Sequence, residues 1–287
     1  MDRDILSVIE AAADGFSKGQ RSIARYIAEN YDKAAFMTAG KLGQVVRVSE
    51  STVVRFAQEL GYGSYPEMRR AIQDMVRSRL TSVQRIRVAK ELLESGDILS
   101  HVLSSDIEQI RVTLEETNTA DFDEAVDAIV AARSIYIFGL RSSSALANFM
   151  GFYFNQLFEN VHVVGESAAS EMFEQILRIS AGDVFIAVSF PRYSRRTLRA
   201  MRYARDMGAK VLGVTDNNAS PVARLADISL YAKSDMVSFL DTLVAPLSLV
   251  NALIVATSVK TGGDLYSTFE RLERVWDEYE VYEKLDV

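Results

Sequence analysis

Cysteine is absent from the 287-residue chain, which removes disulfides, thiolate metal sites and cysteine nucleophiles together. Histidine occurs only at His101 and His162, far apart in sequence, so a histidine-rich metal site is not expected and no cofactor is implied. No Pro/Gly-rich flexible linker interrupts the chain. Met1 to Gly15 carries five charged residues, so no secretory leader is expected there and the cytoplasm is the expected location. Long apolar runs are also scarce. Thr242 to Val259 has 18 residues without a charge, close to the shortest bilayer span. It contains Pro246, Ser248, Asn251, Thr257 and Ser258, so it reads as a buried core helix or a dimer helix, with no membrane partner.

What is present describes an ordinary folded protein of one large or two average domains, 48% apolar and 25% charged. The net charge of −7 is unevenly spread. Residues 1–88 hold 14 Lys and Arg against 10 Asp and Glu, a net +4, and the rest hold 18 against 29, a net −11. A basic head on an acidic body suits an amino-terminal module that neutralises phosphates.

The first 80 residues read as short helices with tight connections. Ile5–Ala13 and Lys18–Glu29 form two, the second with Ile23, Tyr26 and Ile27 on one face. Thr38 is placed to cap Ala39–Val46, and Ser49 to cap Glu50–Leu60, which Gly61 stops. A turn over Gly61–Pro66 restarts as helix at Glu67, and residues 67–118 are mainly helical with a break at Ser95-Gly96-Asp97. Asp121 and Glu124 have capping-box spacing, predicting a helix from Asp121 to near Ala132. The period then changes. Short apolar runs at 135–138, 161–164, 184–188, 211–214 and 228–231 alternate with helices over Ser144–Phe158, Ala168–Ile179 and Arg196–Met207. That order predicts an α/β domain with a doubly wound, mainly parallel five-stranded sheet, following an all-α domain. Helices over Phe239–Lys260 and Leu265–Tyr282 close the chain.

The strongest local signal spans Thr38 to Phe56. Two short helices that pack closely need a small residue in the first, and Gly43 supplies it, while Val48 plugs the space under the turn. Val53, Ala57 and Leu60 share an inward face, which leaves Ser49, Ser51, Thr52, Arg55 and Gln58 outside. Hydroxyls at a positive helix amino terminus suit phosphates, and Arg55 or Gln58 can reach base edges in a major groove of double-stranded DNA. The same spacing also suits a helical hairpin with a solvated polar face.

Residues 17–70 resemble the helix-turn-helix domain of the MurR/RpiR regulators. The resemblance lies in Gln20–Ile27, Phe36-Met-Thr38, Val48-Ser-Glu-Ser-Thr-Val-Val-Arg-Phe56 and Leu60-Gly-Tyr-Gly-Ser-Tyr-Pro66. It implies DNA contacts from Thr38, Arg47, Ser49, Glu50, Ser51, Thr52, Arg55 and Gln58. Arg47 stands in the inter-helix turn, where small residues are common, and suits either a phosphate contact or a slightly altered turn.

Two later loops carry anion-binding chemistry. Gly139-Leu-Arg141-Ser142-Ser143-Ser144 opens a helix directly after the first strand, where free N–H groups and hydroxyls make an anion cradle. Ser189-Phe-Pro-Arg192-Tyr193-Ser194-Arg195-Arg196-Thr197 follows the third strand. Each serine alone also suits helix capping; together, at one sheet edge, the loops favour anion binding. Residues 120–260 resemble the sugar isomerase (SIS) domain that follows the helix-turn-helix in the same family. The implied effector is a phosphosugar. Ser143 takes the place of the first loop's phosphate-binding serine, and Ser189, Ser194 and Thr197 fit a second pattern after a short insertion. Arg141 and Arg195 replace glycines of that pattern, which points to a more acidic effector such as a sugar-acid phosphate. The domains implied are 1–80 for DNA binding, 81–118 as helical connector and 119–287 as SIS domain.

The reading that follows is a DNA-binding regulator, a homodimer or homotetramer, that senses a phosphosugar and is not an enzyme. The alternative is a phosphosugar isomerase or lyase, which needs a proton-transfer group. Glu166, also a candidate ligand residue, and Glu171 stand nearest the loops for that role, and Glu171 equally suits a helix's first turn.

Overall fold

A computed structural model describes residues 5–79, 86, 97–165, 169–235, 240–262 and 264–282. The chain divides into two compact units, the first built from Met1–Val102 with Met236–Asp241 and the second from Leu103–Asp235 and Thr242–Val287.

The first unit is all-helical: α1 (Ile5–Ala12), a 3-10 turn (Ala13–Gly15), α2 (Lys18–Glu29), α3 (Tyr31–Ala34), α4 (Ala39–Val46), α5 (Glu50–Glu59) and α6 (Tyr65–Arg79). Ser17 and Gln20 form a reciprocal capping box at the start of α2. Ile23, Ile27, Leu42, Val53, Phe56, Met68 and Ile72 are fully buried and make one core. The short α3 was not anticipated. Helix α6 starts at Tyr65, ahead of the expected Glu67, because Pro66 has no N–H to lose in a first turn. The Tyr65 hydroxyl donates to Met37 O (2.9 Å), and burial pushes its pKa up to about 12.

Helix α7 (Ile98–Glu116) begins in the first unit and enters the second at Leu103, which continues with α8 (Thr119–Val130), β1 (Ile135–Gly139), α9 (Ser142–Leu157), β2 (Val161–Val164), α10 (Ala169–Gln175), β3 (Val184–Val188), α11 (Arg195–Asp206), β4 (Lys210–Thr215), β5 (Ile228–Tyr231), α12 (Val244–Thr261) and α13 (Asp264–Glu278). All five strands are parallel in the order β2-β1-β3-β4-β5, the doubly wound arrangement expected. Strands β1 and β3 are buried on both faces. Ile135 and Ile137 pack with α8, α9 and α12 on one side, and Tyr136 and Phe138 with α10 and α11 on the other. The amino ends of β1 and β3 are tied by Arg133, whose Nε and Nη2 donate to the buried Asp183 carboxylate at 3.0 and 2.8 Å.

Several boundaries differ from the sequence reading. Helix α8 starts at Thr119, where Asn118 Oδ1 accepts from Ala120 N (2.9 Å), so the Asp121 capping box is not used as a start. Helix α10 ends at Gln175, short of Ile179. Beyond it the chain tightens into i→i+3 bonds, from Leu177 N to Glu174 O and Ile179 N to Ile176 O. Helix α12 starts at Val244, not Phe239, which puts Pro246 in its first turn. Of the break expected at residues 95–97, Ser95 and Gly96 lie outside the described residues; Asp97 caps α7 by accepting from Ser100 N (3.1 Å). Helix α12 buries Leu249, Val250, Leu253 and Ile254 on the sheet and leaves Val244, Leu247, Val255 and Val259 exposed. It is a core helix with a second apolar stripe.

Candidate DNA-contacting helix and anion-binding loops

Helices α4 and α5 pack as tightly as their sequence requires. Thr38 Oγ1 accepts from Lys41 N (3.2 Å) to start α4, and Arg47 ends it in the left-handed region, at φ 60° and ψ 46°. A Cβ on Gly43 would lie 2.8 Å from Val48 O, so the corner closes only around glycine. Ser49 caps α5 by accepting from Thr52 N (3.2 Å), and its Oγ also lies 2.8 Å from the hydroxyls of Ser51 and Thr52. Val53, Ala57 and Leu60 face inward as expected, and Phe56 joins them fully buried. Thr38, Arg47, Ser49, Glu50, Ser51, Arg55 and Gln58 are exposed, and Thr52 is half-buried. The Arg55 Nε donates to Ser51 O (3.3 Å), which lays the guanidinium along its own helix. The Glu50 carboxylate leans over Gly40, where a Cβ would meet it at 3.1 Å.

The two candidate anion loops leave neighbouring strands. Gly139 at the end of β1 pairs in register with Val188 at the end of β3. The connections from β1 and β3 run to opposite sides of the sheet, so the loops flank the topological switch point, where doubly wound sheets bind ligands. In the first loop Ser143 N donates to Leu140 O (3.1 Å), closing a turn with Arg141 at φ 56° and ψ −127°. Those angles belong to the glycine position of a type II′ turn. Gly139 is held by the same turn, because a Cβ on it would lie 2.4 Å from Ser143 O. The Ser144 amide and hydroxyl both donate to Arg141 O, at 3.0 and 2.5 Å. The expected cradle of free amides is thus partly filled: the Ser143 and Ser144 N–H groups close the turn. Ser142 is exposed and Ser143 buried.

The second loop is tied down at both ends. Ser189, buried, donates its N–H to Val214 O (3.0 Å), and Ser194 caps α11 by accepting from Arg196 N (3.1 Å). Arg192 has φ 70°. The Tyr193 hydroxyl donates to Asp216 Oδ1 (2.7 Å), which also accepts from Thr215 Oγ1 (3.1 Å). Thr197 Oγ1 is buried and has no hydrogen-bond partner among the described residues. A buried hydroxyl in that state is costly unless something else satisfies it.

Two family descriptions match the chain: "Helix-turn-helix domain, rpiR family" over residues 3–79 and "SIS domain" over residues 128–256. The chain is a member of the RpiR family. Among curated relatives it is 26% identical to the HTH-type transcriptional regulator HexR of Pseudomonas aeruginosa, over 94% of this chain and 95% of HexR. Among solved structures it resembles the sugar isomerase domain of an RpiR transcription factor from Sphaerobacter thermophilus, at 29% identity and TM-score 0.57 over 60% of this chain and 96% of that one. It also shares its fold with Vibrio vulnificus NanR, solved with ManNAc-6P, at 22% identity and TM-score 0.59 over 96% of this chain and 98% of that one.

In this RpiR protein the α5 residues named from sequence share one outer surface, with Glu50 turned back on α4. The loop residues divide. Ser143, Ser189 and Thr197 sit buried at the switch point, Arg141, Arg192 and Arg195 are exposed around it, and Ser194 and Ser144 spend hydrogen bonds on their own helices. Glu166 lies outside the described residues, and Glu171 is exposed in the first turn of α10. Asp216 was missed. Its signal was present, as a carboxylate directly after an apolar strand at the same sheet edge, and its Oδ1 accepts from the Tyr193 hydroxyl.

Proposed function

We propose that this chain is a cytoplasmic, homodimeric transcriptional regulator that binds operator DNA through α5 and releases or gains affinity when its SIS unit takes a phosphosugar. The reading is carried by the buried Thr197 hydroxyl, without a partner among the described residues, on the loop that shares the switch-point edge of the sheet with the buried Ser143 and Ser189, in a chain that also carries a helix-turn-helix. The ManNAc-6P bound by NanR supports the ligand class. Arg141, Arg192 and Arg195 add positive charge beyond what one phosphate needs and favour a sugar-acid phosphate. Ser49, Ser51, Thr52, Arg47 and Thr38 would meet phosphates, and Arg55 and Gln58 base edges. The exposed stripe of α12 would meet a second copy, matching the two half-sites that such domains read in pairs. Linkage then requires that effector and operator change each other's affinity by the same factor. Domains divide for this purpose as 1–80, 81–118 and 119–287. Catalysis is not proposed, since Glu171 is an exposed helix-start residue favoured there by the helix dipole.

Selection of DNA from a random-sequence pool by the purified chain tests the first half. An enriched motif that Arg55→Ala together with Gln58→Ala abolishes is expected, and no enrichment at any salt concentration would sink DNA recognition. Thermal shift with 6-phosphogluconate, glucose 6-phosphate and glucose tests the second. Stabilisation in that order is expected, because specific ligands raise stability by mass action. Equal stabilisation by the neutral sugar, or conversion of a sugar phosphate by purified protein, would overturn it.

A further inference from the structure

Helix α7 is packed with its polar side inward. Gln109 and Thr113 are buried and accept from the backbone: Gln109 Oε1 from Asp235 N (2.5 Å) and Thr113 Oγ1 from Lys233 N (2.9 Å). Asp106 Oδ1 accepts from Thr242 Oγ1 (2.7 Å), and Glu116 pairs with Lys233 Nζ (2.7 Å). The apolar residues are left outside. Leu103, Ile107, Ile110 and Leu114 are 52, 68, 37 and 77% exposed. A helix that anchors itself by polar groups and offers leucine and isoleucine to water has a face made for something else.

The spacing says what. Steps of four, three and four residues keep these side chains in one narrow stripe, the seam geometry of paired helices. From Leu103 to Leu114 the stripe reads Leu-Ile-Ile-Leu in either direction, so a two-fold axis between Ile107 and Ile110 matches these four residues to themselves, with the exposed Leu99 one step beyond them. Ile107 and Leu114 fall at a positions and Leu103 and Ile110 at d positions, so the parallel-dimer preference of isoleucine at a and leucine at d holds for one pair and not the other, and the two-fold match of the stripe sets the direction. We propose that α7 pairs antiparallel with α7 of a second copy of this chain, setting Leu103 against the partner's Leu114 and Ile107 against the partner's Ile110. Asp106 of α7 bonds Thr242, two residues before α12 begins, so the start of the α12 stripe would extend the seam. The two stripes together expose roughly 800 Å² per copy, what each partner brings to an interface of standard size. The proposal rests on the self-association put forward above and adds the surface that directs it.

The chain has no cysteine, so introduced pairs report without background. Leu103→Cys and Leu114→Cys variants of the full chain, allowed to exchange subunits and then oxidised, are expected to cross-link as a mixture and not singly. An antiparallel seam allows only the mixed pair, at the Cα separation a disulfide requires. A disulfide in either variant alone, or none in the mixture, overturns the seam. Ile107→Glu with Ile110→Glu is expected to raise the dimer dissociation constant by about tenfold or more. The thermal stability of the isolated monomer should stay unchanged, because both side chains are already exposed. Sedimentation of the unaltered chain separates the failures. A monomer at micromolar concentration defeats self-association as a whole, whereas a dimer without the cross-link defeats the α7 seam alone.

Discussion

Each unit turns a corner beside its candidate site with an arginine at positive φ, and the two corners differ in kind. Arg47 closes α4 at φ 60° and ψ 46°, inside the small left-handed region open to any L-residue at modest cost. Arg141 opens α9 at φ 56° and ψ −127°, which only glycine reaches without strain. Both corners are held shut by a glycine that faces backbone: Gly43 against Val48 O and Gly139 against Ser143 O. The helix-turn-helix corner is therefore relaxed and rests on packing. The SIS corner carries its strain in the backbone of Arg141, the residue proposed to meet the ligand, which is where function is expected to override local preference.

Breaking the two glycine contacts gives the largest effects and ranks them. Gly139→Ala places a Cβ 2.4 Å from Ser143 O, and Gly43→Ala places one 2.8 Å from Val48 O. Neither backbone can yield without moving a helix. The first is expected to cost about 3 kcal/mol or more in the SIS unit, and the second about 1–3 kcal/mol in the amino-terminal unit. Calorimetry should show each change lowering the transition of its own unit. A larger loss from Gly43→Ala than from Gly139→Ala would mean that the corners are not held as the geometry says.

The same contrast explains what could be read from sequence. The central strands β1, β3 and β4 and the α4–α5 pair were legible because burial on both faces and close packing leave strong patterns in apolar residues, as at 135–138 and at Gly43 and Val48. Helix starts were less so. Asn118 and Asp121 are both competent caps three residues apart, and only the chain's path into α8 decides between them. The anion loops were legible as composition and not as geometry. Ser144, Ser194 and Tyr193 looked like ligand groups, yet their bonds go to Arg141 O, Arg196 N and Asp216, all choices made by the fold. The inward polar face of α7 could not be foreseen, since its partners at 233–242 are more than a hundred residues away.

Replacing the strained arginine sharpens the comparison next. Arg141→Gly removes about 1–3 kcal/mol of backbone strain, offset by the roughly 0.5–1 kcal/mol that glycine's freedom costs on folding. The SIS unit is therefore expected to gain about 1 kcal/mol in denaturant unfolding. Its affinity for 6-phosphogluconate should fall by about tenfold, the scale of one charge-assisted hydrogen bond. A variant that lost both stability and affinity would show that Arg141 is a structural support and that its backbone is not strained.

Arg47→Gly is expected to do least, and its smallness is informative. A left-handed arginine costs roughly 1 kcal/mol relative to glycine, about as much as glycine loses in chain entropy, so stability should change by no more than about 0.5 kcal/mol. The side chain is exposed and its removal leaves the packing of Val48 on Gly43 intact. What should change is the salt dependence of DNA binding. Losing one phosphate contact lowers the slope of log affinity against log salt by about 0.9, with nearly equal effect on all sequences. An unchanged slope would remove Arg47 from the interface and leave its positive φ as a helix ending alone. A changed sequence preference would instead move it from the phosphates to the base edges, and the relaxed corner would then be part of the reading head.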